Sequence, residues 1–230
     1  MKRKTEGMPR LLTLITILLA LAGCSRQRSA DDFPVWGIDV SKHQKTIDWD
    51  RVYDKNPPDF VFLKATEGLI ITDPTYKKHS RKLESMGVLW GAYHFFGHRT
   101  DGREQARHFI RTASLKAGNM LPVLDIEQHR FMTDPKRSVK QAKAFCDEIR
   151  SHYGVNPIIY CSTNFYEAHL REAFPTGKYP LWIADYRGEP DHLDWIVWQH
   201  TDSHRLRGIS GNVDRNVFDG KPEMLKKLML

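Results

Sequence analysis

The chain has 230 residues, a net charge of +7 at neutral pH and hydrophobic residues at 40% of its positions. This length and composition are typical of one globular domain that can build a full core. No dense run of lysine and arginine with interleaved aromatic residues is present, so the sequence does not predict a nucleic-acid partner.

The N-terminus has the features of a signal peptide. A basic segment, residues 1–10, precedes an apolar run of 13 residues, 11–23, which is too short to span a bilayer. The sequence LAGC at residues 21–24 resembles a bacterial lipobox, which predicts cleavage before Cys24 and lipidation of that residue. An ordinary signal peptide followed by an incidental cysteine is the alternative. Acyl chains on Cys24 would anchor an exported protein to a bacterial membrane, facing the periplasm or the cell exterior.

The mature chain would have 207 residues, with a polar tether at 24–34 and a single domain at 35–230. Residues 1–23 carry four basic residues and one acidic residue, so their removal would lower the net charge from +7 to +4. This mildly basic balance suits an anionic polymer as partner. Because no paired Cys-x-x-Cys spacing occurs, zinc is not predicted, and Cys146 and Cys161 are predicted as two separate buried thiols.

Strands and helices alternate from residue 36 onward. Apolar runs predict eight strands, at residues 36–41, 60–66, 89–96, 121–127, 156–162, 179–186, 194–200 and 212–220. Segments bounded by capping residues, proline or glycine predict five helices, at residues 48–56, 74–87, 101–115, 134–154 and 164–174. The alternation predicts parallel pairing with right-handed crossovers. The sequence therefore predicts an irregular TIM-like α/β barrel, (β/α)5(β)3, whose last three strands lack intervening helices.

Acids and aromatic residues recur at the predicted C-terminal ends of these strands, where parallel barrels bind ligands. In LPVLDIE, Asp125 and Glu127 stand two residues apart, so both side chains would point to the same face of a strand. The other rim residues are Asp39, Tyr93, Tyr160, Trp182, Asp185, Trp198, Gln199 and Asp214.

Neighbouring carboxylates repel each other, which is unfavourable for stability, so a cluster of them predicts a functional site. Divalent-cation binding is one candidate, and glycoside chemistry, in which acids divide into a proton donor and charge stabilisers, is the other. The aromatic residues favour the second, since aromatic rings stack on the apolar faces of sugars. Neither a metal nor another cofactor is predicted. Lys64 is predicted to be a structural partner of the acids, and His94 to face away from the lumen.

Eight short motifs occur in order along the chain: GIDVSKHQ, FVFLKATEG, GAYHFF, PVLDIE, PIIYCS, LWIADY, VWQH and VDRNVF. Together they resemble glycoside hydrolase family 25, the Chalaropsis-type lysozymes, over about residues 36–219. The resemblance implies a catalytic domain with N-acetylmuramidase activity. Its substrate would be peptidoglycan, cleaved at the β-1,4 bond between N-acetylmuramic acid and N-acetylglucosamine, and the protein is expected to be a monomer.

The resemblance also implies roles for the rim residues. Glu127 would be the general acid and then the base, Asp125 would support it, and Asp39 and Asp214 would complete the catalytic acids. The residues expected to bind substrate are Tyr93, Tyr160, Trp182, Asp185, Trp198 and Gln199. The spacing does not choose between retention and inversion, and we favour acetamido-assisted catalysis with net retention, with Asp125 orienting the acetamido N–H. A non-catalytic peptidoglycan-binding module and a metal-dependent hydrolase are the alternatives.

Overall fold

The structure is a computed structural model that describes residues 28–230. The predicted signal peptide, the predicted lipidation site Cys24 and the first residues of the predicted tether lie outside the described residues. Among residues 28–230 no helix combines the length and the apolar character needed to cross a membrane.

Eight strands close into a barrel. The described residues contain nine strands in all, of which β3 is not part of the barrel: β1 (Val35–Val40), β2 (Phe60–Glu67), β3 (Ile71–Thr72), β4 (Trp90–Phe95), β5 (Val123–Asp125), β6 (Ile158–Ser162), β7 (Leu181–Ala184), β8 (Val197–His204) and β9 (Val213–Phe218). The ring runs β1-β2-β4-β5-β6-β7-β8-β9 and closes through the pairing of β9 with β1. The short strand β3, which the sequence did not predict, forms a hairpin with the end of β2 and stays outside the ring. The predicted irregular α/β barrel is thus confirmed.

Strand β9 departs from the expected parallel pairing. Neighbouring strands from β1 to β8 are parallel, whereas β9 is antiparallel to both β8 and β1. The segment between β8 and β9, residues 205–212, contains no helix that could carry the chain back to the other end of the barrel. A short connection joins antiparallel strands, because a parallel pair needs a long crossover.

Five helices follow the predicted order: α1 (Trp49–Val52), α2 (Tyr76–Ser85), α3 (Gly102–Ala113), α4 (Pro135–Tyr153) and α5 (Thr163–Phe165), which continues as a π-helical turn, Tyr166–Leu170. Aspartates cap three of them, since Asp48, Asp101 and Asp134 accept from the backbone N–H groups of Arg51, Glu104 and Arg137. The predicted helix 48–56 contracts to the single turn of α1, which ends before Asn56, a residue with φ of 47°. Leu225 and Leu228 of the C-terminal 3-10 helix, Pro222–Leu228, pack on the inner core and close the barrel base.

Side chains alternate between the two faces of each strand, and this alternation builds two cores. The inner core fills the lower barrel with rings such as Phe60, Phe62 and Trp182, and the outer core packs the strands against the helices. Gly37 makes room for the Phe60 ring, because a Cβ atom there would lie 2.4 Å from it. Because the inner core fills the lower barrel, a polar site can form at the upper end of the barrel.

Candidate active site

The predicted acids meet at the upper rim of the barrel. Asp39, Asp125 and Glu127 lie at or just beyond the C-terminal ends of β1 and β5. Asp214 reaches the same rim by a different route, since β9 runs downward and Asp214 is near its N-terminal end, opposite Asp39. The placement of Asp214 at the C-terminal end of a parallel strand was therefore wrong, but its position beside the other acids agrees with the prediction.

The rim acids line a cavity of about 350 Å³. Its walls also include Lys64 and three of the aromatic side chains that were predicted to bind substrate, Tyr93, Tyr160 and Trp182. A second cavity of about 450 Å³ shares Glu127 and Tyr160 with the first and extends to Asp185, Tyr186 and Arg187. The two cavities form one groove, and Glu127 lies where they meet.

Asp39 and Asp214 form a proton-sharing pair on the floor of the first cavity. The side-chain amides of Gln199 and Asn216 donate to Asp39 Oδ2 over 2.9 and 2.8 Å. Burial, the charge of Asp39 and the hydrogen bond to it raise the pKa of Asp214 to about 9. Asp214 therefore carries a proton at neutral pH, and the pair has one negative charge rather than two.

Asp125 and Glu127 are hydrogen-bonded to each other, and burial raises the pKa of both. The pKa of Asp125 lies well above its ordinary value, because this side chain is deeply buried and faces the charge of Glu127. The hydrogen bond between them raises the pKa of Asp125 and lowers that of Glu127, so Asp125 is the carboxyl of the pair that favours the proton. The Oδ1 atom of Asp125 is buried and has no hydrogen-bond partner among the described residues, an arrangement that leaves an acceptor for a ligand.

The strand β5 ends at Asp125, so Glu127 lies on the loop that follows it rather than on the predicted strand. Two contacts fix this loop. The Ile126 N–H donates to the Tyr160 carbonyl over 3.0 Å. His98 Nε2 donates to the Glu127 carbonyl over 2.8 Å, while the Ser138 hydroxyl lies 3.1 Å from His98 Nδ1. The sequence contained no local signal for His98, because its contact partners lie on the loop after β5 and on α4.

His94 occupies the position predicted for it, whereas Lys64 pairs with Glu67 rather than with the rim acids. Lys64 Nζ lies 2.8 Å from a carboxylate oxygen of Glu67 and 4.6 Å above the centre of the Phe95 ring, at the cavity wall. His94 points away from the lumen and bonds to Thr66 and Gln105. Burial lowers the pKa of His94 to about 3, so it is neutral at physiological pH.

Trp182 and Tyr160 are held in the cavity wall by hydrogen bonds at their polar ends. The Trp182 indole N–H donates to Asn216 Oδ1 over 2.8 Å, and its ring stacks on Phe62. The Tyr160 hydroxyl donates to Gln199 Oε1 over 2.9 Å. Asn216 and Gln199 thus connect the aromatic wall to Asp39. Asn216 was missed in VDRNVF, although it stands two residues after Asp214 and so faces the same side of the strand.

Asp185 lines the second cavity and stands apart from the acid pairs. Arg187 and Thr163 hydrogen-bond its carboxylate, and the Arg187 guanidinium lowers its pKa. Tyr186, which the sequence analysis missed, is 53% exposed along this cavity and donates its hydroxyl to Gln199 over 2.7 Å. It offers the open aromatic face that had been expected of Trp198.

Trp198 does not line the groove. It precedes Gln199 on β8, and because Gln199 faces the lumen, Trp198 must face outward. Its ring packs against Phe33 and Trp195, and its indole N–H donates to the Asp185 carbonyl over 2.7 Å. The prediction that Trp198 binds substrate therefore disagrees with its position, and the alternation of the strand contained the necessary signal.

The Trp198→Ala variant is expected to lose about 3–5 kcal/mol of unfolding free energy, because it removes a large buried side chain. Its KM should stay unchanged, whereas Tyr186→Ala should raise KM with little effect on stability. Urea unfolding and initial-rate measurements on both variants check this pair. A raised KM for the milder Trp198→Phe variant, which retains the ring packing, would show that Trp198 does contact substrate.

The raised pKa of Asp214 has a consequence for stability. The folded protein holds this proton up to a pH of about 9, whereas an unfolded aspartate releases it near pH 4. The folded state thus binds more protons between these values, and the unfolding free energy should fall as pH rises through this window. Asp214→Asn, which keeps an N–H donor toward Asp39, should flatten this slope. Thermal unfolding from pH 5 to 9 checks it, and Asp191→Asn at an exposed position that does not contribute to the pKa of Asp214 is the control. Equal slopes for all three proteins would contradict the assignment of the proton.

Cys146 and Cys161 are both buried and are free thiols, as predicted. Among residues 28–230 no group of three or more histidine, cysteine, aspartate or glutamate side chains is arranged to hold a metal ion.

The chain matches the family model described as glycosyl hydrolases family 25 over residues 38–209. It is 36% identical over 201 residues to the uncharacterized protein YegX of Escherichia coli K12, an alignment that covers 84% of this chain and 73% of YegX. It is 30% identical over 184 residues to the autolytic lysozyme of Clostridium acetobutylicum, covering 79% of this chain and 55% of the relative. The structure of a family 25 glycosyl hydrolase from Bacillus anthracis superposes with a TM-score of 0.80 at 27% identity, covering 89% of this chain and 97% of that one. The chain therefore belongs to glycosyl hydrolase family 25 and is a glycosidase.

Proposed function

We propose that this glycosidase hydrolyses peptidoglycan at the β-1,4 bond between N-acetylmuramic acid and N-acetylglucosamine, in cell-wall catabolism or remodelling. The observation that carries the proposal is the pair at the end of β5. Asp125 lines the first cavity, its buried Oδ1 has no hydrogen-bond partner among the described residues, and it is hydrogen-bonded to Glu127 where the two halves of the groove meet. The similarity to the autolytic lysozyme supports the same substrate class.

The geometry suits a muramic acid in the first cavity and the departing sugar in the second. Glu127 lies between the two cavities, where the scissile oxygen would be. Glu127 would donate its proton to the O4 atom of the leaving N-acetylglucosamine as the C1–O4 bond breaks. The 2-acetamido oxygen would attack C1 in the same step and form an oxazolinium ion, a recognised exception to the two-carboxylate mechanism.

Substrate binding would favour the protonated form of the catalytic acid, Glu127. When the acetamido N–H donates to Asp125, the anionic carboxylate is the stronger acceptor, which favours transfer of its proton along the existing hydrogen bond to Glu127. Asp125 is then anionic beside the positive charge of the oxazolinium ion, where a buried, prearranged charge is most effective. Water that is deprotonated by Glu127 attacks C1, the oxazolinium ring opens, and the product retains the β configuration.

Asp39 and Asp214 would supply the remaining negative charge. Their single charge is held by the amides of Gln199 and Asn216 and cannot relax away from the cavity. A carboxylate fixed in this way stabilises positive charge at the anomeric carbon without reorganisation during the reaction.

Product analysis on purified sacculi tests the proposed function. After digestion, borohydride reduction and acid hydrolysis, the muramidase specificity predicts muramitol, and NMR at early times should show the β anomer of the new reducing end. Reduced glucosamine instead of muramitol would overturn the bond specificity. Binding to sacculi without release of muropeptides would indicate the non-catalytic binding module instead, and complete loss of hydrolysis in EDTA would indicate a metal-dependent hydrolase.

We further propose that the protein is exported and anchored as a monomer through a lipid on Cys24. The LAGC sequence supports this. The described end of the predicted tether is held against the domain, since Arg28 pairs with Glu189 and Asp219 and its guanidinium lies 4.5 Å above the centre of the Phe33 ring. Mass spectrometry of the mature N-terminus should find diacylglycerol on Cys24, and Cys24→Ala should release the protein from membranes. An unmodified mature terminus would contradict the anchor.

A further inference from the structure

A third cavity of about 380 Å³ lies beside the catalytic groove. Three segments form it, the tip of the β2–β3 hairpin, the segment after β4 and the loop after Glu127; we call it the side pocket, residues 67–71, 95–100 and 129–131. None of the catalytic acids lines it. The mechanism proposed above does not use this pocket.

The side pocket concentrates the exposed apolar surface of the described chain. Of the five large hydrophobic side chains that are exposed among residues 28–230, four lie here: Leu69, Ile70, Ile71 and Phe131. Ile70 is 85% exposed and Phe131 43%. The hairpin that carries Ile70 is held in place, because Glu67 pairs with Ile71 in the β2–β3 ladder and His108 bonds to the Ile71 carbonyl. Clustered apolar side chains on a fixed surface are typical of a binding site.

The same pocket presents two cationic groups. The guanidinium carbons of Arg99 and Arg130 each lie 4.8 Å from the centre of the Phe131 ring. Arg99 also donates to the Phe131 carbonyl over 3.3 Å. No carboxylate among residues 28–230 forms an ion pair with either guanidinium. Two guanidinium groups positioned on one ring without an anionic partner are suited to bind carboxylates.

The side pocket adjoins the catalytic cavity. Phe95 lines both cavities, and the Lys64–Glu67 ion pair joins them, since Lys64 lines the catalytic cavity and Glu67 the side pocket. His129, at the other edge of the pocket, is two residues beyond Glu127. A chain attached to the sugar in the catalytic cavity can therefore enter the side pocket directly.

We propose that the side pocket binds the stem peptide that N-acetylmuramic acid carries on its lactyl group; this inference rests on the proposed function. That peptide combines short apolar side chains with free carboxylates. Its apolar groups would pack on the hairpin tip and Phe131, and its carboxylates would pair with Arg99 and Arg130. The charge of the pocket is complementary to this peptide, while an uncharged sugar would have no use for two guanidinium groups.

Two substrates test the inference: intact peptidoglycan strands, and the same strands stripped of peptide by an N-acetylmuramyl-alanine amidase. The unaltered protein should have the lower KM for the peptide-bearing strands. Arg99→Gln/Arg130→Gln should raise the KM for peptide-bearing strands by roughly tenfold, since each exposed charge pair is worth a few-fold in affinity. Its KM for stripped strands should not change.

Arg51→Gln/Arg81→Gln is the matched control, because it removes the same charge from exposed positions that do not line the side pocket. Free stem peptide should inhibit the unaltered protein and this control, and should inhibit the side-pocket variant at least about fivefold more weakly. All substituted side chains are exposed, so the thermal midpoints should stay within a few degrees of each other.

Distinct outcomes separate the two proposals. No hydrolysis of either substrate by the unaltered protein would overturn the proposed function. Hydrolysis of both substrates with equal KM would leave that function in place and overturn the peptide pocket. An equal rise of KM on both substrates in the side-pocket variant would also overturn it, since the pocket would then bind the glycan itself.

Discussion

Glu127→Gln is expected to lower kcat by about 10²–10⁴, the contribution typical of a positioned general acid. Glutamine matches the shape of glutamate and occupies the same point between the two cavities, but it cannot give a proton to the leaving oxygen or take one from water. The shared proton on Asp125 would then have no route to the scissile bond. Release of soluble muropeptides from sacculi, followed over several hours, measures the residual rate.

The stability of the same variant separates lost chemistry from lost structure. The charge of Glu127 raises the pKa of Asp125, and burial raises that of Glu127 itself. Glutamine has no charge that must be buried or that repels Asp125. The thermal midpoint of Glu127→Gln should therefore equal or exceed that of the unaltered protein. The exposed Glu172→Gln serves as the control, with full activity. Lysis by Glu127→Gln at more than about a tenth of the normal rate would exclude Glu127 as the acid.

Asp125→Asn should lower kcat by about 10²–10³, the loss typical when one prearranged electrostatic group is removed. The asparagine carbonyl can still accept from the acetamido N–H, but it cannot become anionic beside the oxazolinium ion. Ground-state binding is largely retained, so KM should change much less than kcat. Initial rates over a range of concentrations of a defined muropeptide oligomer provide both constants.

This second variant also distinguishes two mechanisms. If Asp125 acts only by holding Glu127 in place, Asp125→Asn should preserve most of the rate, because asparagine can donate to Glu127 as the protonated aspartate does. A loss of less than tenfold would therefore contradict a charged role for Asp125. A product with inverted configuration at early times would exclude acetamido assistance altogether.

The barrel and most of its rim could be predicted because strands have a short, regular period. Eight apolar runs separated by capped helices specify the ring, and the positions at the ends of those runs include Asp39, Asp125 and Glu127. Asp125 and Glu127 are two residues apart, which predicted that their side chains point to the same side. The two side chains are indeed hydrogen-bonded, although β5 ends at Asp125. Local sequence patterns are sufficient to predict these strands and rim positions, since each pattern extends over only a few residues.

The errors have two sources, because the error at Trp198 could have been avoided from strand alternation, whereas the others depend on neighbours distant in sequence. Trp198 was assigned to the groove by its residue type, and the position of Gln199 in the lumen excludes that. Tyr186 and Asn216 acquire their roles from Gln199 and Asp39, which lie on other strands. The side pocket likewise joins three segments, and no one of them is unusual by itself.

The sequence by itself therefore determined the order of strands and helices, the barrel that they close and the identity of the acids at its rim. The periodicity of burial along each strand is a local property, and it is sufficient for those conclusions. Only the tertiary structure decided which of Trp198 and Gln199 faces the lumen, which acids share a proton, and which oxygen of Asp125 is left without a hydrogen-bond partner among the described residues. Each depends on which atoms of different strands are buried together, because desolvation and hydrogen bonding across the barrel set the protonation of the four acids that line the first cavity.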